Sequence, residues 1–183
     1  MAEALTPDHA TDAQGFLPGP LGLRLDEEFL PVVALHARPD MLDSTVPFGQ
    51  VKSLPDTILL RLWPDRIWAC GAPPEGALRL ADISHGYVHL RLRGVEALHF
   101  LDLYTRADLF AAPVRAARTL RTRLNHYDLL LWWANTRDVH LLVARSLAQS
   151  FCDHLGALAQ RHDPADPSLT PRPVAPDAPE RRG

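Results

Sequence analysis

Three residue types that nucleophilic enzymes combine lie close together between residues 82 and 85. Asp82, Ser84 and His85 supply a carboxylate, a hydroxyl and an imidazole, which are the groups of an acid–base–nucleophile system. Residues this close in the chain share one turn, where their side chains need not converge, and no Gly-x-Ser-x-Gly elbow surrounds the serine. The spacing therefore predicts a turn at the entry of a strand, in which Asp82 and Ser84 hydrogen-bond local backbone groups.

Metal and phosphate sites find little support in the residue spacing. His85 and His89 are four residues apart on an extended stretch, so they share a face but stand too far apart to hold one metal ion. The chain contains no His-Glu-x-x-His motif and neither of the two glycine-rich phosphate loops. Cys70 and Cys152 form no Cys-x-x-Cys pair, and we expect two small buried apolar side chains.

The turn leads into a stretch that alternates strictly between apolar and polar residues. Val88, Leu90 and Leu92 fall on one face, which is typical of a half-buried strand. The opposite face carries His89, Arg91 and Arg93, and we interpret it as a candidate docking surface for another subunit.

Arg106 and Trp133 complete the set of candidate interface residues. Trp132 and Trp133 are adjacent, so on a regular strand they point to opposite faces. One then belongs to the core, and the other needs cover from a helix, a loop or another chain. Tryptophan is enriched at interface hot spots, which favours the presence of a partner.

The second half of the chain has a clear order of elements. Ser146 and Gln149 have capping-box spacing at the start of the last helix. The predicted order is strand, helix, strand, strand, strand, helix, over residues 87–93, 95–104, 119–124, 129–133, 139–143 and 147–161. The prediction is an α+β fold with antiparallel or mixed sheets and helices on one face.

The first half repeats this layout faintly. Residues 57–62 and 67–70 form a predicted hairpin around the turn at 63–66, after an earlier strand candidate at 32–37. A matching helix would lie at 73–81. This layout predicts ferredoxin-like βαββαβ-type units in two pseudo-repeats, about residues 30–85 and 86–161.

We expect the two pseudo-repeats to form a single domain over residues 21–162. Residues 1–20 lack periodicity and are expected to form a disordered arm, and the proline-rich residues 163–183 a disordered tail.

Charge and composition limit the partners. The net charge is −3, which gives no general attraction to nucleic acid or to anionic lipid. An arginine cluster at Arg115, Arg118, Arg121 and Arg123 lacks interleaved aromatic residues, so an acidic protein surface is the favoured partner and nucleic acid is not. With no signal peptide and no membrane-length apolar run, we expect a cytoplasmic protein.

An ordered set of short motifs resembles one protein family. The set spans roughly residues 55–158 and resembles the γ subunit of heterotetrameric sarcosine oxidase. The motifs are Trp63–Trp68, Asp82–Gly86, Val88–Gly94, Asp108-Leu109, Thr122–Leu124, Leu129–Trp132 and Val143–Ala148.

The resemblance implies a fold similar to the folate-binding domains of aminomethyltransferases. It implies a γ-type structural or assembly subunit, without an active site or cofactor of its own, in a complex with α, β and δ subunits. That complex demethylates sarcosine oxidatively to glycine, with tetrahydrofolate as the one-carbon acceptor, and carries FAD, FMN, NAD, tetrahydrofolate and zinc on its other subunits. Two alternatives stay open: a related complex that acts on another N-methyl amine or amino acid, and a stand-alone folate-binding module like an aminomethyltransferase.

Overall fold

A computed structural model describes residues 9–36, 46–75, 77 and 79–162. Within these residues the chain forms two antiparallel sheets and three α-helices. The strands in chain order are β1 Gln14–Phe16, β2 Arg24–Glu27, β3 Val32–His36, β4 Val51–Ser53, β5 Thr57–Trp63, β6 Arg66–Gly71, β7 Arg79–Asp82, β8 Tyr87–Arg93, β9 Thr119–Leu124, β10 Tyr127–Asn135 and β11 Asp138–Ala144. The helices are α1 Ala97–Tyr104, α2 Ala112–Ala117 and α3 Ala148–Arg161.

The first sheet has six strands in the order β1-β2-β8-β11-β10-β9, and the second has five in the order β4-β5-β6-β3-β7. Every pairing among these strands is antiparallel. The prediction of an α+β fold with helices on one face of a sheet is confirmed. Of the two predicted sheet types, antiparallel and mixed, the structure has the antiparallel one.

Strand alternation sorts the core into layers. On β8, β10 and β11, one set of alternate residues packs under α1 and α3, where Phe100 and Phe151 are fully buried. The opposite set meets the second sheet, where Leu130, Trp132 and Leu142 pack against Leu60 and Trp68. A smaller cluster covers the outer face of the second sheet. Strand β10 is therefore buried on both faces, as its continuous apolar run predicts.

The sequence patterns predicted the strands and helices of the second half of the chain better than the cap of its last helix. Strand β8 has the predicted bounds, and α3 ends at Arg161 as expected. The predicted capping box at its start is wrong, because a 3₁₀ turn over Arg145–Leu147 precedes the helix and Leu147 occupies the N-cap without a side-chain hydrogen bond. The Gln149 side chain instead accepts a hydrogen bond from the Asp12 amide.

Part of the predicted N-terminal arm is ordered. Residues 14–16 form β1, and the Glu27 carboxylate accepts hydrogen bonds from the backbone amides of Ala10 and Thr11 and from the Thr11 hydroxyl. These contacts join segments far apart in sequence, which explains why periodicity missed them. Residues 1–8 and the predicted tail at 163–183 lie outside the described residues.

The first half departs from the predicted repeat at one place. Where the matching helix was expected, at 73–81, the described residues contain strand β7 and no helix. Strand β7 pairs with β3 at the edge of the second sheet, so the backbone hydrogen bonds of this segment are satisfied without a helix.

Both cysteines are free and buried, as expected. Burial raises the pKa of Cys70 and of Cys152 to about 12, so both thiols stay protonated at neutral pH. None of the described helices has the length and apolarity that crossing a bilayer would require.

Candidate functional site

The polar face of β8 is the richest cluster of charged and titratable side chains predicted from the sequence. His89, Arg91 and Arg93 lie on the face of the first sheet opposite the helices, because alternate residues of a strand share a face. The antiparallel registers place Arg91 between Asp26 on β2 and His140 on β11. The structure thus brings three of the five candidate interface residues together.

Three arginines and three carboxylates form one ion-pair network on this face. Arg91 makes a bidentate pair with Asp138, at 2.7 Å from Nε to Oδ1 and 2.7 Å from Nη2 to Oδ2. Its third nitrogen, Nη1, lies 3.4 Å from Glu28 Oε1. A paired guanidinium fork of this kind fixes side-chain orientation as well as charge.

The second half of the network centres on Asp26. Arg24 Nε lies 2.8 Å from Asp26 Oδ2, and Arg93 Nη2 donates to the same oxygen. The hydrogen bond from Arg24 lowers the pKa of Asp26 most strongly, with a further contribution from Arg93. The hydrogen bond from Arg91 lowers the pKa of Asp138 in the same way. Each of the three carboxylates is paired with at least one arginine, and the network holds β2, β8 and β11 in register.

Beside the network lies a stack of three aromatic rings. His89 Nε2 is 3.0 Å from His140 Nδ1, so one ring must donate a proton and the other accept it. The Trp132 ring is nearly parallel to both imidazoles, with centroids 5.5 Å from His89 and 5.0 Å from His140. His89 is only 5% exposed.

Burial decides the protonation of this histidine pair. Desolvation, reinforced by repulsion from a charged His140, lowers the pKa of His89 to about 3. Desolvation also lowers the pKa of His140, although Asp138 opposes that shift. Both rings are therefore neutral at neutral pH. Among the described residues, no hydroxyl or thiol hydrogen-bonds to either ring, and the closed stack has the properties of a structural element.

The two remaining candidate interface residues lie elsewhere. Arg106 is exposed after α1, where its amide approaches the Arg123 carbonyl of β9, at the sheet edge away from β2. Trp133 is 4% exposed and packs in the core beneath the helices. The second sheet and the histidines cover Trp132. The cover that one tryptophan needed therefore comes from this chain, and Trp133 presents almost no surface to a partner.

The segment with Asp82, Ser84 and His85 forms a turn between β7 and β8. Ser84 Oγ donates to Asp82 Oδ1 at 2.6 Å, and the Ser84 amide donates to the same carboxylate oxygen. The Val32 amide donates to Ser84 Oγ at 2.9 Å, which ties the turn to β3. The exposed His85 makes no hydrogen bond to either side chain. The prediction of local backbone contacts is confirmed for Asp82, which accepts from the Ser84 amide, and is wrong for Ser84, whose hydroxyl contacts the backbone of Val32, 52 residues away in the sequence.

Sequence reasoning missed the partners of the predicted arginines. Asp26, Asp138 and His140 complete the polar face, yet they come from strands that the register alone brings beside β8. The alternation of Asp138 and His140 with Val139 and Leu141 was the available signal. Among the described residues, no group of three or more His, Cys, Asp or Glu side chains could hold a metal ion.

No family model and no curated protein matches this chain. A solved structure does: a chain of the heterotetrameric sarcosine oxidase from Corynebacterium sp. U-96, in complex with pyrrole 2-carboxylate. The likeness has a TM-score of 0.65 at 21% sequence identity and covers 81% of this chain and 90% of that chain. The fold is therefore that of a chain of this enzyme over most of its length.

Proposed function

We propose that this chain is a γ-type, non-catalytic assembly subunit of a heterotetrameric, flavin-dependent sarcosine oxidase. The observation that carries the proposal is the structural likeness to a chain of such an enzyme, which spans 90% of that chain. The ordered motifs between residues 55 and 158 support the same subunit. In this role the chain has no cofactor of its own, and the α, β and δ subunits carry FAD, FMN, NAD, tetrahydrofolate and zinc.

The polar face of β8 is the proposed docking surface. Arg93 is the more exposed of the two arginines on β8, with a side chain 39% exposed, against 30% for Arg91. Interfaces of this kind use fixed charges for orientation and partner choice more than for affinity. The network pre-orders the arginines before a partner arrives, which lowers the entropy cost of docking.

Co-expression with the large subunits of a sarcosine oxidase from the same organism tests the assembly role. We expect the tagged chain to co-elute with flavin-bearing subunits, and the complex to form formaldehyde or methylene-tetrahydrofolate from sarcosine. The isolated chain should carry no flavin and show no oxidase activity. An isolated chain that binds flavin and oxidises sarcosine contradicts the proposal.

Charge reversal tests the surface. Arg93→Glu should weaken assembly, whereas Arg137→Glu, at an exposed turn position outside the network, should leave it unchanged. If the two variants assembled equally well, the polar face of β8 would not be the docking surface. Calorimetric titration of the isolated chain with tetrahydrofolate tests the alternative, a stand-alone folate-binding module. Micromolar binding would favour that module over an assembly subunit.

A further inference from the structure

A groove runs between the two sheets on the side away from the helices. We call it the intersheet groove. Its volume is about 420 Å³, within the range of small-molecule sites. Leu130 and Leu142 of the first sheet form its apolar floor, and the β5–β6 hairpin of the second sheet forms one wall.

Aromatic rings line the wall and one end of the intersheet groove. Trp63 and Trp68 stack with ring centroids 4.8 Å apart, and Tyr87 meets Trp68 edge-on at 5.0 Å. Trp63 stays partly exposed while Trp68 is buried. A planar ring that enters the groove can therefore pack against the exposed part of Trp63 without first displacing a buried side chain.

The charge at the rim of the groove is positive. Arg121 Cζ lies 5.8 Å from the centre of the Trp63 ring, and no carboxylate within ion-pair distance of Arg121 is found among the described residues. Within the described part of the chain, the ion-pair partner of Arg66 is Asp65, at 4.0 Å, with both side chains well exposed. The one acid at the rim, Asp128, is already paired with Arg123 at 2.6 Å.

We propose that the intersheet groove binds a small planar aromatic anion. Its ring would pack against Trp63 and Trp68, and its carboxylate or phosphate would bind Arg121 and Arg66. An aromatic cation is disfavoured, because it would meet Arg121 and Arg66 in the groove, and Asp128 is already paired with Arg123. The inference concerns the isolated chain and holds whether or not the chain assembles into an oxidase.

Calorimetric titration of the full chain with two probes tests the site. Indole-3-carboxylate presents a carboxylate and adenosine monophosphate a phosphate, and the neutral rings indole and adenosine are their controls. We expect at least one anion to bind about tenfold or more tightly than its neutral ring, which is the usual strength of one charge-assisted hydrogen bond. The better of the two anions identifies the anionic group that the site prefers.

Variants and indole resonances localise the binding. Arg121→Gln should weaken binding about tenfold, Arg121→Lys should retain part of it, and Arg137→Gln, an exposed arginine outside the groove, should have no effect. In nuclear magnetic resonance spectra the indole N–H signals of Trp63 and Trp68 should shift, and those of Trp132 and Trp133 should not.

Three results would overturn the proposal. These are neutral rings that bind as well as the anions, equal affinities of the Arg121→Gln and Arg137→Gln variants, or the absence of binding by both anions. Because Arg121 is exposed on an edge strand, its substitution should leave the fold intact, and matching thermal melts confirm this.

Discussion

The buried His89–His140 pair should make the protein sensitive to mild acid. The folded pKa of His89 is about 3, against an ordinary value of 6.5. Below pH 6.5 the unfolded chain therefore binds a proton that the folded chain refuses, and the stability falls as the pH falls. The contribution is complete above pH 6.5, is lost progressively below it, and levels off near the folded pKa of about 3.

The loss has a defined size. A proton difference of one changes the free energy of unfolding by about 1.4 kcal/mol per pH unit. Between about pH 6.5 and about pH 5, His89 alone should therefore cost about 2 kcal/mol. His140 adds to this loss, because desolvation lowers its pKa in the same direction.

Urea unfolding at about pH 7 and about pH 5 measures the effect. His89→Gln replaces the ring by an amide that can still hydrogen-bond to His140 and does not titrate, so its loss between the two pH values should be smaller by about 2 kcal/mol. His85→Gln removes an exposed histidine and should lose as much stability as the unsubstituted chain. An unchanged pH dependence in His89→Gln would refute the reasoning.

Four further substitutions and one control test the packing and the charge network by urea or thermal unfolding. Breaking the bidentate pair by Arg91→Met or Asp138→Asn should cost about 1–2 kcal/mol, because the pair is partly buried, and a double-mutant cycle that shows no coupling would contradict the network. Phe151→Ala removes a fully buried ring from the core beneath α3 and should cost about 3–5 kcal/mol, whereas a loss below 1 kcal/mol would mean that the core is not packed as described. Gly71→Ala should cost about 1–3 kcal/mol, because Gly71 has a φ of +108° and an added Cβ would meet backbone atoms. Gly86→Ala is the control, since the space around Gly86 is open. Equal melting temperatures of the two variants would contradict the predicted strain at Gly71.

The second half of the chain was readable because local patterns and tertiary contacts agree there. The alternation at 87–93 predicts both the bounds of β8 and the face that carries His89, Arg91 and Arg93. The continuous apolar run at 129–133 predicts a strand buried on both faces, and β10 packs between the helices and the second sheet. These patterns depend only on residue order and side-chain period.

Other elements depend on tertiary contacts that the order of residues does not predict. The expected helix at 73–81 is partly strand β7, because β3 offers its edge for pairing. Residues 14–16 became a strand because Glu27 and β2 anchor that segment. The predicted capping box is absent because the Gln149 Oε1 atom accepts its hydrogen bond from the Asp12 amide, in a segment more than a hundred residues away.

The sequence by itself determined the α+β class, the strand at 87–93 and the positive, imidazole-bearing face that this strand presents. Only the tertiary structure decided what that face contacts. Strand register placed Asp26, Asp138 and His140 beside it, and the second sheet covered Trp132 and formed one wall of the intersheet groove. The physical reason is that side-chain direction follows from local periodicity, whereas charge compensation, desolvation and cavity shape arise only when distant strands meet.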